Sequence, residues 1–226
     1  MIIYITIASF IATLLGGLFA LKFKDKLHLI LGFSAGAVIG VAFFDLIPES
    51  IEIGSGIYDI SSITFVTAIG FIIYMILDRT IFFHSHDDEH NIQDEYNKRG
   101  KLGAASLSLH SLLDGIAIGL AFQVSSELGI VVAIAVLVHD FSDGLNTVNM
   151  ILKNNGTKIN AFRWLIIDSL APVLGVISTM FFTLPTNILS IVLAIFAGSF
   201  LYIGASDLLP ESHHSHPTIW TTVVTI

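Results

Sequence analysis

The sequence predicts an all-α integral membrane protein: a bundle of eight transmembrane helices arranged 3+2+3 as an inverted repeat, forming one transmembrane domain over residues 1–226. Three observations carry that prediction. Mean hydropathy is +0.84, with 54% hydrophobic and only 12% charged residues, where soluble domains carry roughly a quarter charged. Uncharged runs such as 1–21 (MIIYITIASFIATLLGGLFAL) have the length that crosses about 30 Å of hydrocarbon as a helix. Two short motifs also recur: DLIPES at 45–50 returns as DLLPES at 207–212, and HSLLDG at 110–115 returns as HDFSDG at 139–144.

In lipid every backbone polar group needs an internal partner, so only helices or closed barrels span it. The runs here are too long and too uniformly apolar for barrel strands, which alternate over about ten residues. Apolar runs read against helix breakers place the spans at 2–21, 29–49, 61–83, 102–125, 128–152, 162–184 and 187–210. The first span has no basic residue before it, and Lys22 follows it, so it reads as a retained helix and not a cleaved leader. The second carries Gly32, Gly36 and Gly40, a small-xxx-small pattern that permits close helix packing. An eighth helix begins after Pro217, but TIWTTVVTI is too short for a bilayer at about 1.5 Å per residue, so it reads as short or truncated.

All ten Lys and Arg fall between, or in the adjoining end turns of, spans one and two (Lys22, Lys24, Lys26), three and four (Arg79, Lys98, Arg99, Lys101), or five and six (Lys153, Lys158, Arg163). The alternate connections contain none. The positive-inside rule therefore puts the N-terminus outside a cell membrane, with loops 22–28, 84–101 and 153–163 in the cytoplasm. The longest of these, 84–101 (HSHDDEHNIQDEYNKRGK), reads as a solvated loop. His84, His86 and His90 add weak metal capture to it, because histidine-bearing tracts bind metal.

The chemistry concentrates in spans four and five. His110 and Asp114 are four apart and share a helix face, and His139 and Asp143 repeat that spacing. Because the two helices run antiparallel, His110 falls level with Asp143 and Asp114 level with His139. Two imidazoles and two carboxylates then face one another near mid-membrane. A charged side chain there costs about 2.5–3.5 kcal/mol on insertion scales, and such residues mark ion or proton paths. No Lys or Arg lies deep in a span to pair with Asp114, Asp140, Asp143 or Asp168. Their positive counterpart is either protons or a divalent cation, and imidazole with carboxylate suits zinc, iron and related metals better than calcium or magnesium. A hydrogen-bonded network gluing the helices together is the bland alternative, disfavoured by two pairs in matching register. Asp140 points about 100° from His139 and serves an adjacent metal or a proton relay; Ser111 holds the equivalent place in span four.

Asn146 and Asn149 continue the span-five face toward the cytoplasm, as an exit path or as helix glue. In span six, Pro172 frees the carbonyl of Asp168 by lacking an N–H. Pro48 and Pro210 free those of Phe44 and Ser206 in the same way, or, lying near helix ends, simply terminate their helices. The chain has no cysteine, which excludes disulfides and thiolate metal sites.

On HSLLDG, HDFSDG, DLIPES, DLLPES and GFIIYMILDR before a histidine-bearing loop, the chain resembles the ZIP family of divalent metal transporters over spans two to seven. The resemblance implies eight helices with both termini outside, a homodimer, and a mid-membrane site that is often binuclear. Carried over by position, His110, Asp114, His139 and Asp143 look like the ligands of one metal, and Ser111, Asp114, Asp140 and Asp143 like those of a second. Asp114 and Asp143 stand where many members carry glutamate. Ala171 precedes Pro172 where many also carry glutamate, with Asp168 one turn earlier as its candidate substitute.

The expected activity is therefore movement of Zn²⁺, and also Fe²⁺, Mn²⁺ or Cd²⁺, toward the cytoplasm by rocking of one repeat against the other. The metal is the substrate; no resident cofactor and no nucleic-acid partner is expected, and the surrounding partner is the lipid bilayer. The alternative from another class is an intramembrane metal-dependent hydrolase, with Asp140 as its general base. Neither histidine motif matches the H-E-x-x-H pattern such a site uses.

Overall fold

The computed structural model describes residues 1–22, 28–83 and 92–210. Among them the chain is helical with no strand. Among the described residues, six helices are long and apolar enough to cross a membrane. In chain order, α1 is Ile2–Lys22. α2 runs His28–Val41, passes through a π-helical turn at Ala42–Leu46, and resumes over Ile47–Gly54. α3 is Ile60–Phe83, α4 Ile92–Val124, α5 Ser126–Lys153 and α6 Lys158–Thr179. α7 is Thr186–Tyr202 and continues into a second π turn at Ile203–Leu208. The eighth segment after Pro217 and the loop histidines His84, His86 and His90 lie outside the described residues.

Several boundaries differ from the sequence reading. The second half of the 84–101 loop is helix: α4 begins at Ile92, ten residues before the expected 102. Hydrophobicity is silent there, but the segment contains Gln, Glu, Lys and Arg, all good helix formers. Asp94 and Glu95 also stand four residues before Lys98 and Arg99, a spacing that favours helix. α6 starts at Lys158, capped by the Thr157 hydroxyl accepting from the Asn160 amide, and stops at Thr179, short of 184. Gln123 accounts for the early stop. Its side-chain amide donates to the carbonyls of Thr179 and Phe182 and accepts from the Leu184 amide, so the connecting segment is tied off outside a helix.

The two π turns shift the backbone openings as well. Ile47 N–H donates to the Ala42 carbonyl, and Leu209 N–H to the Gly204 carbonyl. Each bond passes over the next carbonyl, Phe43 or Ala205, whose alternative partner is a proline without an N–H. The opening thus extends one residue upstream of Phe44 and Ser206.

α5 is the central helix. Its buried residues run around most of its circumference, the pattern of a helix enclosed on all sides. α4 precedes it by the single residue Ser125, whose hydroxyl accepts from the Leu128 amide and caps α5. The densest packing joins α4 to α6, α1 to α5 and α4 to α5, with α1 also against α6; α3 packs mainly on α7. In lipid no hydrophobic force drives helices together, so close approach relies on small residues. A Cβ on Gly16 would meet the Phe141 carbonyl, and one on Gly144 the Thr13 carbonyl, where α1 crosses α5. A Cβ on Gly175 would meet the Leu112 carbonyl, and one on Gly115 the Pro172 carbonyl, where α4 crosses α6. The second crossing repeats the first residue for residue.

Candidate metal centre

The glycines that close the two crossings also end the two histidine motifs: Gly115 follows Asp114 and Gly144 follows Asp143. Helical spacing turns His110 and Asp114 of α4 to one face, and His139 and Asp143 of α5 to another that meets it. Single ligand atoms from these four side chains lie within 4.8 Å of one another, and all four residues are buried. His110 Nε2 stands 3.1 Å from Asp114 Oδ2 and 3.6 Å from Asp143 Oδ2. His139 Nε2 stands 3.3 Å and 3.8 Å from the same two oxygens. The imidazoles lie one over the other, ring centroids 5.6 Å apart at 26°.

His139 has a defined tautomer. Its Nδ1 lies 2.8 Å from the Ala135 carbonyl, which only accepts, so Nδ1 carries the hydrogen and donates it. In the neutral ring Nε2 then presents a lone pair toward Asp114 Oδ2. Two electron-rich atoms at that distance call for a positive charge between them, a proton or a metal ion. His110 Nε2 and Asp143 Oδ2 are both fully buried without a hydrogen-bond partner. An outer hydrogen bond that orients a histidine, with its free nitrogen aimed inward, is the usual arrangement of a metal-binding imidazole.

The remaining sequence-predicted residues lie beside the cluster. Asp140 is wholly buried and accepts a short hydrogen bond from Ser9 of α1, leaving its Oδ1 without a partner. Ser111 donates to the Leu107 carbonyl and at 2.9 Å to Asp168 Oδ1. Asp168 Oδ2 accepts from Thr147 at 2.9 Å. Ser111 and Asp140 are thus each hydrogen-bonded to a neighbouring helix. Asn146 and Asn149 are half-buried on α5, three and six residues past Asp143. Sequence reasoning missed Ser9 and Thr147. Nothing marks them in a chain rich in hydroxyls, although Thr147 falls one helical turn beyond Asp143.

Aromatic side chains close the face toward α3 and α7. Tyr74 meets the His110 ring edge-on at 5.6 Å, and Phe200 meets that of His139 at 5.9 Å. Water is thereby kept from that side of the imidazoles, which strengthens their interactions with any charge they hold.

The family model described as ZIP zinc transporter matches residues 1–105 and again 83–226. Zinc transporter YKE4 of Saccharomyces cerevisiae is 26% identical over 217 residues, covering 84% of this chain and 62% of its own length. Zinc transporter zipt-7.1 of Caenorhabditis briggsae is 23% identical over 249 residues, covering 82% of this chain and 62% of its own. Mouse zinc transporter ZIP10 is 34% identical over 107 residues, 47% of this chain and 13% of that protein. The chain therefore spans less than two thirds of the length of these relatives.

Proposed function

The chain belongs to the ZIP zinc transporter family, and from that premise we propose that it carries divalent transition-metal ions across a cell membrane toward the cytoplasm. Zn²⁺ is the first substrate, with Fe²⁺, Mn²⁺ and Cd²⁺ as further ones. The observation that carries this reading is the meeting of His110, Asp114, His139 and Asp143, buried, within 4.8 Å of one another. Two imidazole nitrogens and two carboxylate oxygens are a suitable set for a first-row divalent ion. A site of this kind with several carboxylates holds its cation through ligands that must be deprotonated, so protons compete with metal for it. Asp140, Ser111 and Asp168 supply the neighbourhood of a second metal position.

The architecture we propose is eight helices in a 3+2+3 inverted repeat, N-terminus outside, with loops 22–28, 84–101 and 153–163 cytoplasmic. Support comes from the ten basic residues at one set of helix ends and connections, the matched glycine crossings and the paired π turns before Pro48 and Pro210. The moving parts divide differently from one repeat against the other. α1, α4, α5 and α6 pack densely together and supply all four clustered ligands, while α2, α3 and α7 touch that group more lightly, mainly through α2 on α5. Movement of the first group against the second would carry the ligands as a set.

The hydrolase alternative finds no support. No glutamate follows either histidine, and the remaining candidate general base, Asp140, is hydrogen-bonded to Ser9. The test of transport is saturable Zn²⁺ entry into sealed proteoliposomes. Uptake that Asp143→Ala abolishes is expected; wild-type vesicles that bind Zn²⁺ stoichiometrically yet admit none would overturn the reading.

A further inference from the structure

Two carboxylates beyond the four clustered residues are held by the same device in opposite order. On α5 the residue after His139 is Asp140, and Ser9 of α1 donates to it. On α4 the residue after His110 is Ser111, which itself donates to Asp168 of α6. The backbone around the two bonds corresponds position by position. Ser9 lies seven residues before Gly16, which abuts the Phe141 carbonyl; Asp168 lies seven before Gly175, which abuts the Leu112 carbonyl. Carboxylate and hydroxyl have exchanged helices while the crossings stayed the same. All four of these side chains are completely buried, as is Thr147, the second donor to Asp168. Asp140 still has one buried oxygen, Oδ1, with no hydrogen-bond partner.

We infer that each flank of the cation site requires one carboxylate latched by a hydroxyl of a neighbouring helix, that which helix brings which is immaterial, and that Ser9 and Thr147 are the positioning residues that orient Asp140 and Asp168 beside the site. The inference rests on reading the cluster as a cation site and adds residues to it that act through others. The physical reason is the geometry of a carboxylate in a helix bundle. On Asp140 one oxygen is fixed by a hydroxyl and the other is directed, while on Asp168 hydroxyls hold both; with a hydroxyl gone, either group turns more freely and its buried charge is left less satisfied. Outer hydrogen bonds of this sort typically change metal affinity by about 10–100-fold when removed.

The test uses the full chain purified in detergent and titrated with Co²⁺ alone, followed by its visible absorption, alongside Zn²⁺ uptake in proteoliposomes. Ser9→Ala and Thr147→Ala are each expected to weaken Co²⁺ binding about tenfold, with Ser9→Thr and Thr147→Ser recovering most of it. Asp140→Ser is expected to be at least as damaging. The exchange Ser9→Asp with Asp140→Ser should return affinity to within about threefold of wild type, as should Ser111→Asp with Asp168→Ser. An exchange no better than its single parent, in monodisperse protein, overturns the inference. Should one exchange fail to fold, the reciprocal one decides; should both fail, equal affinities for Ser9→Ala and Ser9→Thr overturn it. Wild-type protein that binds Co²⁺ but moves no Zn²⁺ refutes transport and leaves the exchange result standing. Intact uptake with a failed exchange refutes only the latches.

Discussion

The four helices that hold the buried carboxylates and the three that border them share the same close glycine crossings and differ in the groups that line them. α1, α4, α5 and α6 approach so closely that single Cβ atoms on Gly16, Gly115, Gly144 and Gly175 would strike backbone carbonyls. Their buried interface is polar as well: Ser9, Ser111, Thr147 and the aspartates bond across it. α3 and α7 cross as closely, a Cβ on Gly70 meeting the Ile195 carbonyl and one on Gly198 the Thr67 carbonyl, but α2 and α7 each also change to a π turn ahead of a proline. α3 and α7 meet the histidines with aromatic edges from Tyr74 and Phe200. Directional hydrogen bonds fix each group as a unit, with the hydroxyls of Ser50 and Ser190 each donating to the other's carbonyl between α2 and α7. Edge contacts between rings have no such register, and a surface made of them tolerates displacement. The comparison therefore separates the part that holds the cation from the part it faces.

The largest expected effect tests that separation at the ligands. Asp114 lies within reach of both imidazoles, so Asp114→Ala should lower Zn²⁺ affinity by more than about a hundredfold. Phe200→Leu, on the facing group, should change it by less than about threefold, because it removes a ring edge and no ligand. Isothermal titration in detergent measures both; similar losses would erase the distinction. Packing comes next. Gly144→Ala should destabilise by about 1–3 kcal/mol, since the added methyl meets the Thr13 backbone and not a pliable side chain. Gly40→Ala on α2 meets nothing within 4 Å among the described residues, so it should be neutral or stabilising by about 0.5–1 kcal/mol. Thermal unfolding in one detergent compares the two.

Acidification should act on the ligand group alone. Protons compete for the same nitrogens and oxygens as the metal, so apparent Zn²⁺ affinity should fall steadily as pH is lowered, at constant fold by circular dichroism. The smallest effect is expected in the histidine-bearing segment between α3 and α4. Replacing His84, His86 and His90 together by alanine should alter saturating uptake by less than about twofold, since a histidine-bearing loop binds metal weakly beside a buried site.

The membrane spans were legible because hydrocarbon imposes one rule along the whole chain: long apolar runs must be helices. The HSLLDG and HDFSDG motifs were legible because i, i+4 spacing places two side chains on one face whatever surrounds them. The start of α4 at Ile92 was not, since a solvated helix and a solvated loop have the same hydrophobicity. The end of α6 at Thr179 was not either; it depends on Gln123, distant in sequence, which captures the connecting backbone.

From the order of residues alone it follows that the chain is a helical membrane protein, that two His–Asp pairs recur at helical spacing, and that its aspartates lack basic partners within the spans. Those are consequences of composition and period, which act locally. Only the tertiary structure decided that the two pairs meet, that His139 turns its lone pair inward, and that Asp140 and Asp168 are held by Ser9, Ser111 and Thr147. Each of these depends on how closely two helices cross. That distance is set by glycines whose purpose shows only when the opposing carbonyl is in place.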